Sequence, residues 1–304
     1  MVDGKVESGV LRDAAGNSFP IRGFIPRFVP ETNDCDSFTY EWQRYPDILS
    51  AYTGYEERFA KETRWDSDLS GQLVLEAGCG PGSFTGHALA TGAQLVSFDL
   101  SGSVEQNYAK FGGHERLLLV QANIFEIPCA DDLFDKVFCC GVLQHTPDPR
   151  RALGSLIGKL KPGGQIVTDI YPPPPPAPHS YRGLLSSKYL VRRITVGMDP
   201  ERLHRRISAY VDAMWPLVRL LLRGKLGVQI CRRLLIDDPR LLPGLEPKRW
   251  PEFAKLNLFD MLAPAFDLPA TVEEFAEWHR GFDLQDIEVG PGYNGVEGRG
   301  VKPA

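Results

Sequence analysis

Three glycines at alternate positions, in Glu76-Ala77-Gly78-Cys79-Gly80-Pro81-Gly82-Ser83, follow the apolar run Leu73-Val74-Leu75 and precede a helix-like stretch over residues 84–90. A strand that runs into glycines and then into a helix leaves few folds open. Glycine lets the backbone turn tightly and approach a ligand closely, and the start of a helix offers N–H groups with no partner of their own. The text downstream keeps alternating. Residues 94–98 read as a second strand ending at Asp99, residues 104–111 as a helix, 117–120 as a third strand and 134–140 as a fourth. A helix over 151–160 follows, then Pro162-Gly163-Gly164 as a turn that closes it, and a fifth strand over 165–170. Strands separated by helices predict βαβ units and a parallel sheet, and right-handed crossovers leave a doubly wound α/β layer.

The pattern stops at Tyr171, which runs into five prolines, residues 172–176, then Ala177 and Pro178. Such a run is expected to form a stiff polyproline II spacer. The pattern resumes late, with a helix over 272–280 and strands over 284–289 and 295–301 around a Pro291-Gly292 turn. The expected organisation is an N-terminal extension and lid over 1–70, a core over 71–171, a largely helical insertion over 172–270 that covers an acceptor site, and closing elements over 271–304. The insertion is also set apart by charge. Residues 181–233 hold 12 Lys and Arg against three acids, so the chain's net −5 divides into +9 there and −14 elsewhere. Leu203, Ile207, Val211, Met214, Val218 and Leu221 recur at helical spacing among Arg202, Arg205, Arg206, Arg219 and Arg223. Two readings stand: a lid helix packed by its apolar stripe with a solvated basic face, or contact with an anionic membrane surface or an anionic, lipid-linked substrate.

Hydrophobic residues make up 43% of the 304 and charged residues 24%, which excludes disordered and fibrous classes. No run approaches the roughly 18 apolar residues of a spanning helix, and the start lacks a basic stretch followed by an apolar one. The six cysteines form no CxxC pair. Together these lead to the expectation of a cytoplasmic protein without a transmembrane segment, and nothing in the overall charge points to a nucleic-acid partner.

Asp99 lies 21 residues after Gly78, where a carboxylate at a strand end accepts the hydroxyls of an adenosine ribose. A dinucleotide site reads G-x-G-x-x-G, but the third glycine would fall on Ser83. Glu76 beside the loop suits a ligand bearing an ammonium and a sulfonium and repels a pyrophosphate. S-adenosylmethionine has those features.

Residues 73–171 resemble class I S-adenosylmethionine-dependent methyltransferases. The loop follows their L-[DE]-x-G-C-G-x-G pattern. Val96-Ser97-Phe98-Asp99-Leu100-Ser101 looks like their ribose-binding strand end, and Val120-Gln121-Ala122-Asn123-Ile124-Phe125-Glu126-Ile127-Pro128 like their adenine-edge segment. Phe134-Asp135-Lys136-Val137 through Gly141-Val142-Leu143-Gln144-His145-Thr146-Pro147-Asp148 is similar to the strand and loop facing the methyl group, and Leu160-Lys161-Pro162-Gly163-Gly164 to the turn before strand 5. Residues 19–28 look like the tail of the zinc-ribbon-like segment of one branch, but its cysteines are missing here, so no metal is expected.

The resemblance implies a Rossmann-like, mostly parallel seven-stranded sheet with a helical insertion after strand 5. It implies that Glu76, Gly78, Cys79 and Gly80 hold the methionine part of the cofactor, Asp99 and Leu100 the ribose, and Asn123 and Ile124 the adenine. Cys140 and Gly141 then offer backbone groups to its amino end. Relatives generally carry Asp at the position of Asn123, and His or Glu at that of Gln144. His145 is the candidate base, with site lining or helix capping as its other roles; Gln144, Tyr171 and Asp260 are candidates for the acceptor pocket, and Tyr40, Trp42 and Arg44 for a lid. Cys139 and Cys140 point to opposite faces of a strand and cannot chelate together. The function implied is methyl transfer from S-adenosylmethionine to a small-molecule acceptor, with oxygen expected from His145 and from the absence of an Asn-Pro-Pro-Tyr-type site after strand 4. The other readings are N- or C-methylation, a catalytically silent binding protein, and a nicotinamide-dependent oxidoreductase, which Ser83 and Glu76 disfavour.

Overall fold

A computed structural model describes residues 5–30, 33, 35–46, 48, 54–173, 187–241 and 245–304. The chain divides into two compact units, one of Met1–Asn33, Gly54–Pro173 and Phe266–Ala304, the other of Asp34–Thr53 and Pro174–Ala265. From residue 174 on, the proline run expected as a polyproline II spacer lies outside the described residues.

The first unit begins with a small antiparallel sheet of β1 (Gly9–Arg12), β2 (Ser18–Arg22) and β3 (Ile25–Pro26). The main sheet follows: β4 (Leu73–Ala77), β5 (Gln94–Asp99), β6 (Leu117–Gln121), β7 (Phe134–Cys139), β8 (Leu160–Ile170), β9 (Gln285–Gly292) and β10 (Gly295–Val301). Their order is β6-β5-β4-β7-β8-β10-β9, and β10 runs antiparallel to both of its neighbours. This is the doubly wound, mostly parallel seven-stranded sheet expected.

The strands are apolar on both faces, as parallel strands covered on both sides must be. Leu75, Ala77, Val96, Phe98, Val137 and Cys139 face a core completed by Leu153 and Leu156 of the Pro149–Lys159 helix. The alternate residues Val74, Leu95, Phe138 and Val167 face a second core with Phe59, Phe84 and Leu89. Cys139 and Cys140 fall on opposite sides of this division. The Pro149–Lys159 helix starts where Asp148 accepts from the Arg151 N–H at 3.0 Å with Pro149 at its first position. The Val272–Gly281 helix starts on a capping box made by Thr271 and Glu274.

One segment carried no strand expectation, and two turn expectations are corrected. Residues 9–26, which show little periodicity, form strands because Ile25 is buried against Cys79, Val104 and Leu119, and because Arg27 bridges to Gln121 and covers the β6 edge. Pro162-Gly163-Gly164 lies inside β8 as a bulge: Phe134 pairs with Leu160 but Lys136 with Gln165. The Gly163 N–H donates to the Lys302 carbonyl at 2.8 Å, so the segment is held by the chain's end. The final hairpin turns at Tyr293-Asn294, while Pro291 and Gly292 still pair with Val296 and Gly295.

The second unit is helical: Asp36–Arg44, Ser187–Thr195, Pro200–Leu221, Lys225–Arg233 and Trp250–Leu262. Its core joins Leu203, Ile207, Val211 and Val218 to Cys231, Leu258, Phe259 and Leu262, with Tyr40 packed against them. The apolar stripe read from the sequence is therefore used inside this unit.

Candidate functional site

In an open parallel sheet, ligands bind beyond the carboxyl ends of the strands where strand order reverses. Here that point lies between β4 and β7. The glycine loop leaves β4 with the N–H groups of Gly78 and Cys79 both donating to the Phe98 carbonyl, at 2.8 and 3.0 Å. Gly78 has φ +72°, and a Cβ there would stand 2.2 Å from Val142 Cγ2, so any other residue would strain the backbone and displace Val142. The Cys79 side chain points away into the core, which leaves its backbone to the loop.

Asp99 ends β5 beneath this loop. One carboxylate oxygen accepts the Gly80 N–H at 2.8 Å and the other accepts from the Ser101 N–H and hydroxyl at 2.7 Å. Burial pushes its pKa up, and these hydrogen bonds pull the other way. The oxygen bonded by Gly80 retains a lone pair for a ribose hydroxyl, while both lone pairs of the other are taken up by Ser101. The Leu100 carbonyl accepts from Asn33 and Gln121. Asn123 follows β6, and its side-chain oxygen accepts the Phe125 N–H at 3.0 Å, which orients the amide; Ile124 is buried in the core.

Glu76 lies near the end of β4. It is buried, and its Oε2 accepts from the hydroxyls of Thr85 at 2.7 Å and Ser97 at 2.6 Å, while Oε1 has no partner among the described residues. Asn107 donates in turn to Thr85. The carboxyl thus ties β4 to β5 and to the helix after the loop. Burial raises its pKa to about 7, against the two hydroxyls.

Beyond β7, the Gly141 N–H donates to the buried Asp169 carboxylate. Asp169 also pairs with Arg58 at 2.8 Å, and Arg58 pairs with Glu62 at 2.6 Å. The guanidinium lies against the rings of Phe84 and Tyr293, at 5.0 and 5.2 Å. Burial raises the Asp169 pKa and Arg58 opposes it. Glu62, Cys140 and Asp169 bring ligand atoms within 4.8 Å of one another, but the Arg58 guanidinium already supplies their positive charge. Arg58 and Asp169 were missed in the sequence. An acid near the end of the apolar run Ile166-Val167-Thr168-Asp169-Ile170 was a legible signal; Arg58, in Glu56-Glu57-Arg58-Phe59, gave none.

Gln144, His145 and Tyr171 are brought together. His145 Nδ1 lies 3.1 Å from the Phe266 carbonyl, and its ring meets Tyr171 edge-on at 5.5 Å. An Nδ1–H donated to that carbonyl makes Nε2 the accepting nitrogen of the neutral ring. Leu268 and Ala270 lace the segment down by donating to the carbonyls of Gln144 and Tyr171. The Gln144 side chain is fully buried, and among the described residues neither its Oε1 nor its Nε2 has a partner.

Asp260 belongs to the second unit. It lies beside the buried Glu41, whose pKa is pushed well up by burial and by the Asp260 charge. In the same unit the Tyr45 hydroxyl meets His204 Nε2 at 2.6 Å, and Tyr40 packs on Phe259.

At this reversal point a glycine loop, an acid at the next strand end and a polar residue after the third strand stand together, an arrangement of the kind that can hold an adenosine. Residues 75–168 match the family described as "Methyltransferase domain", and this segment is a class I S-adenosylmethionine-dependent methyltransferase domain. The chain is 33% identical to a demethylmenaquinone methyltransferase of Clavibacter sepedonicus over 141 residues, 46% of this chain and 57% of that one. It is 32% identical over 106 residues to a ubiquinone biosynthesis O-methyltransferase of Xanthomonas oryzae pv. oryzae, 33% of this chain and 43% of that one. With a tRNA U34 carboxymethyltransferase of Nautilia profundicola it shares 32% identity over 109 residues, 34% of this chain and 35% of that one. The chain thus spans between about a third and somewhat over half of each relative's length.

Proposed function

We propose that this chain transfers the methyl group of S-adenosylmethionine to a hydroxyl of a small-molecule acceptor. The cofactor, when bound, supplies a methyl carbon already activated by its sulfonium. The crevice suits it: a loop whose first glycine leaves no room for a Cβ unless Val142 shifts, an Asp99 carboxylate oxygen with a lone pair to spare, and a half-buried amide at Asn123. Gly78 and Gly80 would hold the methionine part, Asp99 and Leu100 the ribose, Asn123 and Ile124 the adenine, and Cys140 with Gly141 the amino end. Glu76 and Asp169 would act by fixing the loops on either side.

The observation that supports an acceptor site is the buried Gln144 amide with both polar atoms unpartnered among the described residues, a state that carries a penalty of about 1–3 kcal/mol per group until something bonds it. A polar acceptor group satisfies it. The adjacent His145 Nε2 is the nitrogen able to take the hydroxyl proton as the oxygen attacks, and the Phe266 carbonyl fixes that tautomer. Two of the relatives above are named for quinone-related methylation, one of them as an O-methyltransferase, which supports a small-molecule acceptor and oxygen.

The test is formation of S-adenosylhomocysteine from S-adenosylmethionine with hydroxyl-bearing, amine and activated-carbon acceptors. Turnover is expected on a hydroxyl acceptor, with His145→Gln slowing it by roughly a hundredfold to ten-thousandfold and Gln144→Ala raising KM. Turnover on an amine or carbon acceptor that His145→Gln leaves unchanged would contradict the proposal, as would donor binding with no turnover on any class.

A further inference from the structure

The stripe that the sequence offered for packing is buried inside the helical unit, but a second apolar set is not. At the junction of the Pro200–Leu221 and Lys225–Arg233 helices, Leu217 is 46% exposed, Leu220 59%, Leu226 72% and Ile230 39%. Leu217 and Leu220, and likewise Leu226 and Ile230, are three or four residues apart and so share a helix face. Arg219, Arg223, Lys225 and Arg232 are exposed beside them, and no acid occurs between Asp212 and Asp237. The junction is tight. A Cβ at Gly227 would stand 1.9 Å from the Leu221 carbonyl oxygen, so the second helix seats on the end of the first with no side chain between. The leucines are therefore carried on a firm hairpin.

We propose that this hairpin tip docks on an anionic lipid surface. The apolar side chains enter the boundary between headgroups and acyl chains, and the arginines meet lipid phosphates. A second copy of the chain fits poorly, because a two-fold contact would set the same cations against each other. Among the described residues no helix is long and apolar enough to cross a membrane, so the contact is peripheral. This inference stands apart from the methyl-transfer proposal, since its test needs no turnover.

The test is flotation of the full chain with vesicles of phosphatidylcholine alone and of phosphatidylcholine with phosphatidylglycerol. Binding is expected on the mixed vesicles and should weaken as salt rises. Arg219→Gln with Arg223→Gln should lower affinity by about thirtyfold, and Leu220→Ser with Leu226→Ser by at least about tenfold. Arg64→Gln, a surface change in the other unit, should leave it unchanged. Equal binding to neutral vesicles, no binding to either, or binding indifferent to both tip variants would overturn the proposal. So would self-association, or capture of an acidic protein, that the tip variants abolish without any vesicle binding.

Discussion

The sheet-based unit and the helical unit handle charge in opposite ways. In the first, acids are buried and answered one by one: Asp169 and Glu62 by Arg58, Glu76 by the hydroxyls of Thr85 and Ser97, Asp99 by backbone N–H groups. In the second, the core is mainly apolar, the buried Glu41 sits beside another acid, Asp260, and an excess of cations stands outside. A buried acid needs a partner at a fixed distance, so that unit's chemistry is tied to its geometry. A coat of exposed cations specifies no geometry and suits a partner that is itself a surface.

The largest effects set this contrast at its sharpest. Arg58→Met and Phe259→Ala should each cost about 3–5 kcal/mol near neutral pH, the first by stranding two buried carboxylates and the second by opening a cavity. Urea unfolding at several pH values separates the causes. The Arg58→Met loss should shrink in acid as Asp169 takes up a proton, whereas the Phe259→Ala loss should stay level. Equal pH dependence would erase the distinction.

Gly78→Ala should cost about 2–4 kcal/mol by the same measurement, from a left-handed backbone and the clash with Val142. A change within a few tenths would mean that the loop relaxes and that its spacing is not the constraint.

A smaller effect comes from Glu76. Its pKa is raised from 4.5 to about 7, so the folded state binds the proton more tightly than the unfolded chain. The stabilisation is complete below about pH 4.5 and is lost as pH rises through about 7, by about 2–3 kcal/mol over that window. Glu76→Gln should flatten this part of the profile, and a profile that the substitution leaves unchanged would assign the slope to other groups.

The same contrast explains what was legible in the sequence. Along the sheet, period and punctuation carry the fold: apolar runs, glycines at Gly78, Gly80 and Gly82, and an acid at Asp99 are separated by fixed spacings, and the strands form where those signals lie. The grouping of Gln144, His145 and Tyr171 was readable because they follow the ends of such strands. Arg58 was not, since its partners Asp169 and Glu62 depend on how a helix lies on the sheet, and no spacing encodes that. The hydrogen bonds that Glu76 accepts were not legible for a related reason. Thr85 and Ser97 reach it across two elements, and neither residue type announces such a bond. In the helices, periodicity marked the buried stripe correctly, but Leu217, Leu220, Leu226 and Ile230 share the composition of that stripe. Their exposure follows from the turn at Gly224 and the seat at Gly227, which composition does not reveal.

The most direct test of the central claim, that the β4–β7 crevice holds S-adenosylmethionine through Asp99, is calorimetric titration of S-adenosylhomocysteine into the wild type and Asp99→Ala. Wild-type binding should weaken in the variant by about 1.5–3 kcal/mol, roughly tenfold to hundredfold, as the ligand ribose loses its carboxylate acceptor. Equal affinities in a folded variant, or no binding to the wild type, would contradict the account.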